Sequence, residues 1–449
     1  MDRNEFVRRL FELARARGGS AEVCLETSES FEAQVKDGEI IQYNVSSGGG
    51  LGFRALKDGH TGTASTQILD EDALLQLADG AYENAALAES EDEQFMYAGD
   101  AEYPALELYN PAIVAMSAAE KLEMARELER LTLSQDARVQ QVEDCAIFSA
   151  VGERALQNTL GLNVSSKTAL LGGYVVAVAR NGEQVNTGMK VFVTMDPKDV
   201  DLQAVAQKAV REAVDGLGGA PVASGKTRVL LRNTTMAALL ATFAGMFSAD
   251  NAQKGLSRLK DREGEIVAAD CVTLTDDPHR PGSAASAPFD GEGVATYPKA
   301  VIEKGRLNTL LHNLKTARKQ GVQTTANASR ASYAAGVGVA PTNFYFAPSE
   351  ADFEAMLKRT GDGLYITDLQ GMHAGANAIT GDFSLAAKGF CVKDGALGRA
   401  VSQITVAGNF YQLLRDIEAV GSDLEFRTPG TSCFGSPCVL VGELSVAGK

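Results

Sequence analysis

Histidine is scarce in this chain, and its scarcity limits the metal chemistry that the sequence can support. Only four histidines occur among 449 residues, namely His60, His279, His312 and His373. No two of them have the spacing that places two metal ligands on one helix face. A zinc hydrolase needs about three fixed protein ligands, an open coordination position and a base. We expect His60 and His279 to be exposed, and His312 to be a hydrogen-bonded residue of a helix or strand.

The cysteines are also poorly placed for metal binding. Six occur, and only Cys433 and Cys438 are close in sequence. Such a pair, without a second pair or a nearby histidine, is a weak metal signal. We therefore expect reduced, partly buried thiols and no disulfide framework.

Long apolar runs and an excess of positive charge are missing as well. No run approaches the ~18 apolar residues that cross a bilayer, and the charged N-terminal segment lacks the apolar core of a signal peptide. We expect a cytoplasmic protein without membrane contact. The net charge of −16, from 58 acidic and 42 basic residues, argues against direct nucleic-acid binding, because that needs excess lysine and arginine.

One strand and helix pattern occurs twice in the first half of the chain. Short strands fill residues 21–67, and a helix follows from about Asp70; strands fill residues 139–195, and a helix follows near Asp199. The tetrapeptide Asn-Val-Ser-Ser stands at matching places, 44–47 and 163–166. Turns are predicted at 57–60 and at Asn181-Gly182. A long helix with a capping box of Ser117 and Glu120 separates the two copies.

The second half of the chain has a different composition. A glycine-rich stretch at 216–225 is predicted to be a linker, and beyond it come mostly short strands separated by turn residues. The fold class predicted is α+β, with a duplicated antiparallel-strand and helix N-terminal half and a large, mainly antiparallel β C-terminal domain. The predicted units are 1–105, 106–217 with the connecting helix, and 226–449.

Residues 371–384 are the most unusual part of the sequence, since polar side chains stand among glycines there. Glycine packs poorly in strands and helices, so such a run indicates backbone held close to another group. We predict a substrate-binding or interface loop, formed by His373, Gly375, Asn377, Gly381, Asp382 and Ser384. In the alternative interpretation, Asp382 and Ser384 only close turns.

Two carboxylates, Asp290 and Glu292, suggest an acid–base pair. A loop shaped by Gly291 and Gly293 explains the same residues, and we prefer that interpretation.

Residues 371–384 resemble the G-x-H-x-G-x-N-x-x-[ST]-G-D-[FY]-S signature of the TldD/PmbA family, in its PmbA (TldE) branch. Further segments resemble the family in the same order: 275–278, 288–293, 316–318, 435–437 and 439–448. The resemblance implies a duplicated α/β N-terminal half joined to a β-rich C-terminal domain.

The resemblance also implies where zinc is absent. The TldD branch carries His-Glu-x-x-x-His on the helix after the first C-terminal strand, and the matching helix here is 234–249. Its central residues 240–245 contain no histidine, glutamate or cysteine. Cys433 falls near a cysteine ligand of the TldD branch, and we expect it to be a structural thiol. We therefore predict no catalytic residue, no metal and no cofactor in this chain, with zinc in a partner subunit.

The function implied is that of the metal-free subunit of a cytoplasmic, TldD/TldE-type zinc metallopeptidase that degrades unfolded or leader peptides. Its partner would be a TldD-type chain, in a dimer or higher oligomer, and an extended substrate would be held through strand-edge contacts. One alternative is a homo-oligomeric peptide-binding or scaffold protein without protease activity. Another is an independent hydrolase that uses His373 and Asp382 with Ser384 or Cys433.

Overall fold

The computed structural model describes residues 1–88, 94–427 and 430–449. Helices and strands of the N-terminal half alternate in two similar sets. In chain order they are α1 (Arg3–Ala16), β1 (Ser20–Lys36), β2 (Glu39–Lys57), β3 (His60–Thr66), α2 (Glu71–Ala86), α3 (Pro111–Ala115), α4 (Ala118–Ser134), β4 (Val139–Asn158), β5 (Asn163–Asn181), β6 (Gln184–Thr194) and α5 (Leu202–Asp215), with a 3-10 turn at Pro197–Asp199.

The six strands of this half form one antiparallel sheet in the order β3-β2-β1-β4-β5-β6. The first strands of the two sets, β1 and β4, pair at its centre from Glu22 opposite Asn158 to Gln34 opposite Ala146. Tight turns join β2 to β3 and β5 to β6, which confirms both predicted hairpins. The two sets therefore share one sheet, and the proposed boundary between them stays a prediction.

The duplication is visible in how each set packs its helix. Gly62 of β3 lies against α2, and a β-carbon there would overlap the backbone carbonyl of Ala81. Gly188 of β6 lies against α5 in the same way, at Ala209. A glycine at this strand position lets the helix backbone approach closely in both copies. The predicted capping box of Ser117 and Glu120 is present at the start of α4.

The elements of the C-terminal domain are shorter and more numerous. They are β7 (Gly225–Leu231), α6 (Asn233–Phe243), α7 (Ala249–Gln253), β8 (Leu274–Asp276), β9 (Lys299–Glu303), β10 (Arg306–Leu307), α8 (Leu314–Gln320), β11 (Ala328–Ser329), β12 (Gly338–Val339), β13 (Asn343–Phe346), α9 (Phe353–Thr360), β14 (Gly363–Gln370), α10 (Met372–Gly375), β15 (Asp382–Lys393), β16 (Ala396–Asn409), α11 (Phe410–Asp416), β17 (Ile417–Val420), β18 (Glu425–Phe426), β19 (Cys433–Ser436) and β20 (Val439–Ala447).

Five of these strands close into a barrel. They follow the order β16-β15-β14-β7-β20, pairing between β16 and β20 completes the ring, and β17 extends it at β20. A second sheet has the order β10-β9-β8-β13-β19-β18. Strands β7 and β14 pair in parallel, as do β13 and β19, and the other strand pairs between described residues are antiparallel. The predicted α+β class is confirmed.

The helix predicted at 234–249 is interrupted. It ends as α6 at Phe243, continues as a 3-10 turn at Ala244–Phe247, and restarts as α7, where the Ser248 hydroxyl accepts the Asn251 N–H. Gly245 favours the break because glycine weakens a helix interior. Among the helices of the described residues, none is long and apolar enough to cross a membrane.

Candidate functional site

The predicted loop 371–384 lies at one end of the barrel: residues 371–381 connect β14 to β15 and include α10, and residues 382–384 begin β15. Gly371 and Gly381 have φ angles of +83° and +84°, which favour glycine. A β-carbon on Gly375 would overlap the carbonyl of Ser384, and one on Gly381 would overlap the ring of Tyr411. These glycines allow the loop to fold tightly on itself.

Asn377 and Asp382 also stabilise the loop. The Asn377 Oδ1 accepts the N–H groups of Ile379 and Thr380, at 3.0 and 3.1 Å. One Asp382 carboxylate oxygen accepts the Asn409 side-chain amide at 2.7 Å, and this hydrogen bond lowers the pKa of Asp382. The Asn377 side chain closes a turn, whereas the Asp382 carboxylate bonds to Asn409 of the neighbouring strand β16. Any role of either residue in binding stays a prediction.

His373 and Ser384 are exposed, as Asn377 and Asp382 are, but neither of their side chains has a hydrogen-bond partner among the described residues. The carboxylate of Asp382 binds Asn409 rather than the His373 ring. The described part of the chain therefore holds no Ser-His-Asp relay at this loop. The groups that it offers to a ligand are the imidazole, the hydroxyl and the Asn377 amide.

The loop lies beside α6, since the Thr242 hydroxyl of α6 is 3.1 Å from the sulfur of Met372. One side of α6 is core: Met236, Leu239 and Leu240 are buried, and Phe243 stacks on Phe410 with ring centroids 4.7 Å apart. The helix carries no histidine, carboxylate or thiol. Its side chains cannot coordinate zinc.

Cys433 lies on β19, which packs against α6. Its thiol is buried and donates to the carbonyl oxygen of Arg427 at 3.4 Å. Burial raises the pKa of Cys433 to about 11, so the free thiol is protonated at neutral pH. Within 1–88, 94–427 and 430–449, no three histidine, cysteine or acidic side chains are grouped as a metal site would require.

A cleft between the N-terminal sheet and the C-terminal domain was not predicted. Its volume is about 570 Å³, and its lining comes from strands β1, β2, β4 and β5 on one side and from loops 284–291 and 326–333 on the other. The charged residues of its lining are Glu26, Glu153, Arg154, Asp290 and Arg330.

Buried charges join the two parts of the molecule below this cleft. Glu22, fully buried on β1, accepts from Arg54 at 3.2 Å and also from Arg330 of the C-terminal domain. The second carboxylate of this cluster, Glu292, lies 4.0 Å from Arg54 and accepts the Leu314 N–H at 2.9 Å. We call Glu22, Arg54, Glu292 and Arg330 the joint cluster. Two acids and two bases balance there, which limits the cost of burying them.

Backbone hydrogen bonds hold the Asp290 carboxylate in place. Its carboxylate accepts the N–H groups of Glu292, Val294 and Ala328, at 2.9, 3.1 and 3.0 Å. Burial first, and the nearby Glu292 carboxylate second, raise the pKa of Asp290 to about 7. The loop interpretation of the Asp290 and Glu292 pair therefore agrees with the geometry.

The contact between the N-terminal sheet and the C-terminal domain has one clear signal in the sequence, the glycines of β2. Tyr333 lies on them: a β-carbon on Gly50 would overlap its ring, and one on Gly52 its carbonyl. The Tyr333 N–H donates to Glu26 at 2.8 Å, and Glu26 also accepts from Arg154 at 2.6 Å. The joint cluster itself spans about three hundred positions, from 22 to 330, and no spacing rule connects such residues.

The remaining histidines correct three expectations. His60 and His279 are half-buried rather than exposed, and the His279 ring lies 3.0 Å from the Thr296 carbonyl oxygen. His312 is buried, but it belongs to neither a helix nor a strand, and its Nδ1 has no partner in the described structure. Burial lowers the pKa of His312.

Three models of known protein domains match this chain. The PmbA/TldA metallopeptidase C-terminal domain matches residues 224–448, domain 1 matches 21–85 and the central domain matches 112–217. The chain belongs to the PmbA/TldD metallopeptidase family.

Relatives of this family share the whole length. Metalloprotease PmbA of Escherichia coli O157:H7 is 29% identical, over 99% of this chain and 96% of its own. A PmbA homologue from Haemophilus influenzae is 27% identical, over 98% and 94%. These matches agree with the PmbA/TldE branch of the family.

Solved structures of this fold are similar too. A Thermotoga maritima protein, crystallised as a proposed modulator of a DNA gyrase, has a TM-score of 0.91 and 36% identity, covering 99% of this chain and all of its own. TldE of Thermococcus kodakarensis has a TM-score of 0.90 over 99% of this chain and all of its own, at 22% identity, and supports the fold alone.

Proposed function

We propose that this chain is the metal-free subunit of a two-component zinc metallopeptidase that degrades unfolded or leader peptides in the cytoplasm. Its partner is a TldD-type chain with the His-Glu-x-x-x-His motif. The observation that carries the proposal is the composition of α6, the first helix of the C-terminal domain, which offers apolar side chains where the partner's motif would stand. These residues do not fit zinc, so the metal and the base come from the partner.

This chain would contribute to substrate alignment. When zinc is bound, the partner supplies a polarised carbonyl and an activated water. The cleft of about 570 Å³ has room for a short extended peptide segment, and its lining mixes apolar and charged groups. The joint cluster holds its two walls in a fixed relation.

Loop 371–384 would contact the partner or the peptide. It stands next to α6, the helix that corresponds to the partner's metal helix, and its exposed His373 and Ser384 have no partner among the described residues. Internal hydrogen bonds of Asn377 and Asp382 keep the loop rigid, which reduces the entropy lost on binding.

A homo-oligomeric peptide-binding protein without protease activity is the second candidate. The exposed apolar residues Ile41, Tyr43 and Val45 of β2 favour it, because they form an uncovered surface on this chain itself. Direct nucleic-acid binding is not part of either proposal, given the net charge of −16.

Native affinity purification from the organism's own extract, with mass spectrometry of the bound proteins, tests the proposal. We expect near-stoichiometric recovery of a chain bearing His-Glu-x-x-x-His. Ser384→Arg, on the exposed loop, is expected to lower that recovery or the peptide turnover of the pair. The matched control is Ser445→Arg, an exposed serine of barrel strand β20. Recovery of this chain alone would instead favour the homo-oligomer.

A further inference from the structure

The outer edge of β2 is open over much of its length. β2 pairs with β1 along residues 39–56, but β3 pairs only with Leu51–Lys57. On the side away from β1, the backbone N–H and C=O groups of residues 39–50 have no strand partner among the described residues. At about 3.4 Å per residue, this free edge is roughly 40 Å long.

The free edge lacks the protection that isolated edge strands usually have. Proteins protect such edges with proline, lysine, bulges or a covering segment, and residues 39–50 contain neither proline nor lysine. Ile41, Tyr43 and Val45 instead point to one face of the sheet, with 57%, 49% and 65% of their surface exposed. We call these three residues the β2 shelf. Phe31 of β1 lies beside it, in edge contact with Tyr43.

The second copy of the repeat shows what covers such an edge. There the Ala169 N–H of β5 donates to the carbonyl oxygen of Leu108, at 3.0 Å. Leu108 belongs to the irregular stretch before α3, and it is only 6% exposed. Alignment on Asn-Val-Ser-Ser makes Ala169 the counterpart of Gly50 in β2. The segment before α3 therefore reaches the β5 edge through this hydrogen bond at Ala169, and no backbone hydrogen bond of that kind is found at Gly50 among the described residues.

We propose that the free edge of β2 binds an extended segment of the unfolded peptide substrate as an added strand, with alternate apolar side chains on the β2 shelf. The inference rests on the proposed function and assigns its substrate contact to one strand. Backbone hydrogen bonds would supply affinity for many sequences, and the shelf would favour apolar residues at every second position.

Local charge distinguishes a peptide from a second copy of this chain. Glu29, Glu32 and Glu39 stand on β1 and β2 next to the free edge. Pairing of two β2 edges would add the same carboxylates of a second copy to this region, and the accumulated like charge opposes that association. A peptide segment with lysine or arginine beside its apolar residues would be attracted. Gly49, at the end of the free edge, lines the cleft, so a bound peptide would be led towards it.

Fluorescence anisotropy with the purified full chain tests the peptide backbone. The probe is a labelled peptide of alternating valine and threonine with a lysine at each end. Two isomers are N-methylated, one at all valines and the other at all threonines. An added strand pairs through alternate N–H groups, so we expect one isomer to bind at least about tenfold more weakly than the other. Equal affinity of the two isomers would overturn the proposal.

A variant tests the shelf. Val45→Asp changes an exposed side chain, so the fold should be retained, and we expect the unmethylated peptide to bind about tenfold more weakly. The control is Val185→Asp on β6, 49% exposed, for which we expect unchanged affinity. Unchanged peptide affinity in Val45→Asp would refute the role of the β2 shelf in binding. If the chain binds no peptide but forms a dimer that Val45→Asp dissociates, the free edge binds a second copy instead.

The same variant separates this inference from the proposed function. In one outcome, peptide hydrolysis by the two chains requires this chain but proceeds at the same rate with Val45→Asp. That result would support the proposed function and overturn peptide binding at the free edge of β2. In the other outcome, the two chains together hydrolyse no peptide, but this chain alone binds the two N-methylated isomers with different affinity. That result would support peptide binding at the free edge and overturn the proposed function.

Discussion

Removal of one charge from the joint cluster should destabilise the protein strongly. In Arg330→Met the apolar stem is kept and the guanidinium is lost, so Glu22 and Glu292 share one cation, Arg54. The four side chains are all at most 8% exposed. At about 4 Å and an effective dielectric constant near 20, one such ion pair is worth about 4 kcal/mol. Breaking a buried pair typically costs about 3–5 kcal/mol, and we expect a loss in that range.

The assay is urea unfolding followed by far-ultraviolet circular dichroism, because the chain has no tryptophan. The matched control is Arg228→Met, whose ion pair with Glu418 is exposed on both sides and should contribute at most about 1 kcal/mol. The double variant Glu22→Gln/Arg330→Met restores charge balance and should be more stable than Arg330→Met alone. A double variant less stable than the single one, or a loss in Arg330→Met no larger than that in Arg228→Met, would show that the buried charges do not stabilise the joint in this way.

Three further predictions concern packing, pH and the buried thiol. Gly62→Ala and Gly188→Ala force a β-carbon into a helix backbone, and each should lower the free energy of unfolding in urea by about 1–3 kcal/mol. The control Gly225→Ala, where a β-carbon meets open space, should be near neutral. Equal effects at all three positions would contradict the packing. The pKa of Asp290 is raised to about 7, so between about pH 4 and 7 the folded state binds more protons than the unfolded state. The free energy of unfolding should therefore fall as pH rises through this window and stay low above it. Asp290→Asn should flatten this slope, and an unchanged slope in the variant would assign it to other groups. Cys433, with a pKa of about 11, should resist iodoacetamide at pH 8 in the folded protein and react in urea, and fast modification of the native thiol would contradict its burial.

Much of the N-terminal half could be predicted because its signals are local. The hairpin at Asn181-Gly182, the capping box of Ser117 and Glu120, and the repeated Asn-Val-Ser-Ser depend on residues close in sequence. Gly245 shows the limit of such signals: the apolar pattern of 234–249 is continuous, but glycine and the Ser248 cap divide the helix.

The candidate site could be predicted only in part. Loop 371–384 was recognisable from its glycines and polar side chains, and the structure places it next to α6. The cleft and the joint cluster were not recognisable, because Glu22 and Arg330 are brought together by the docking of the sheet on the C-terminal domain. The predicted exposure of His60 and His279 was wrong, because both are half-buried in the fold and the His279 ring contacts the Thr296 carbonyl oxygen.

We propose that this chain aligns the substrate and that its partner supplies the metal. The most direct measurement is the hydrolysis of an unfolded peptide by the purified chain, by the purified TldD-type chain, and by their mixture, with and without a zinc chelator. We expect negligible hydrolysis by this chain alone, a rate for the mixture well above that of the partner alone, and loss of that rate with chelator. Hydrolysis by this chain alone that persists in chelator, or a mixture no faster than the partner alone, would contradict the account.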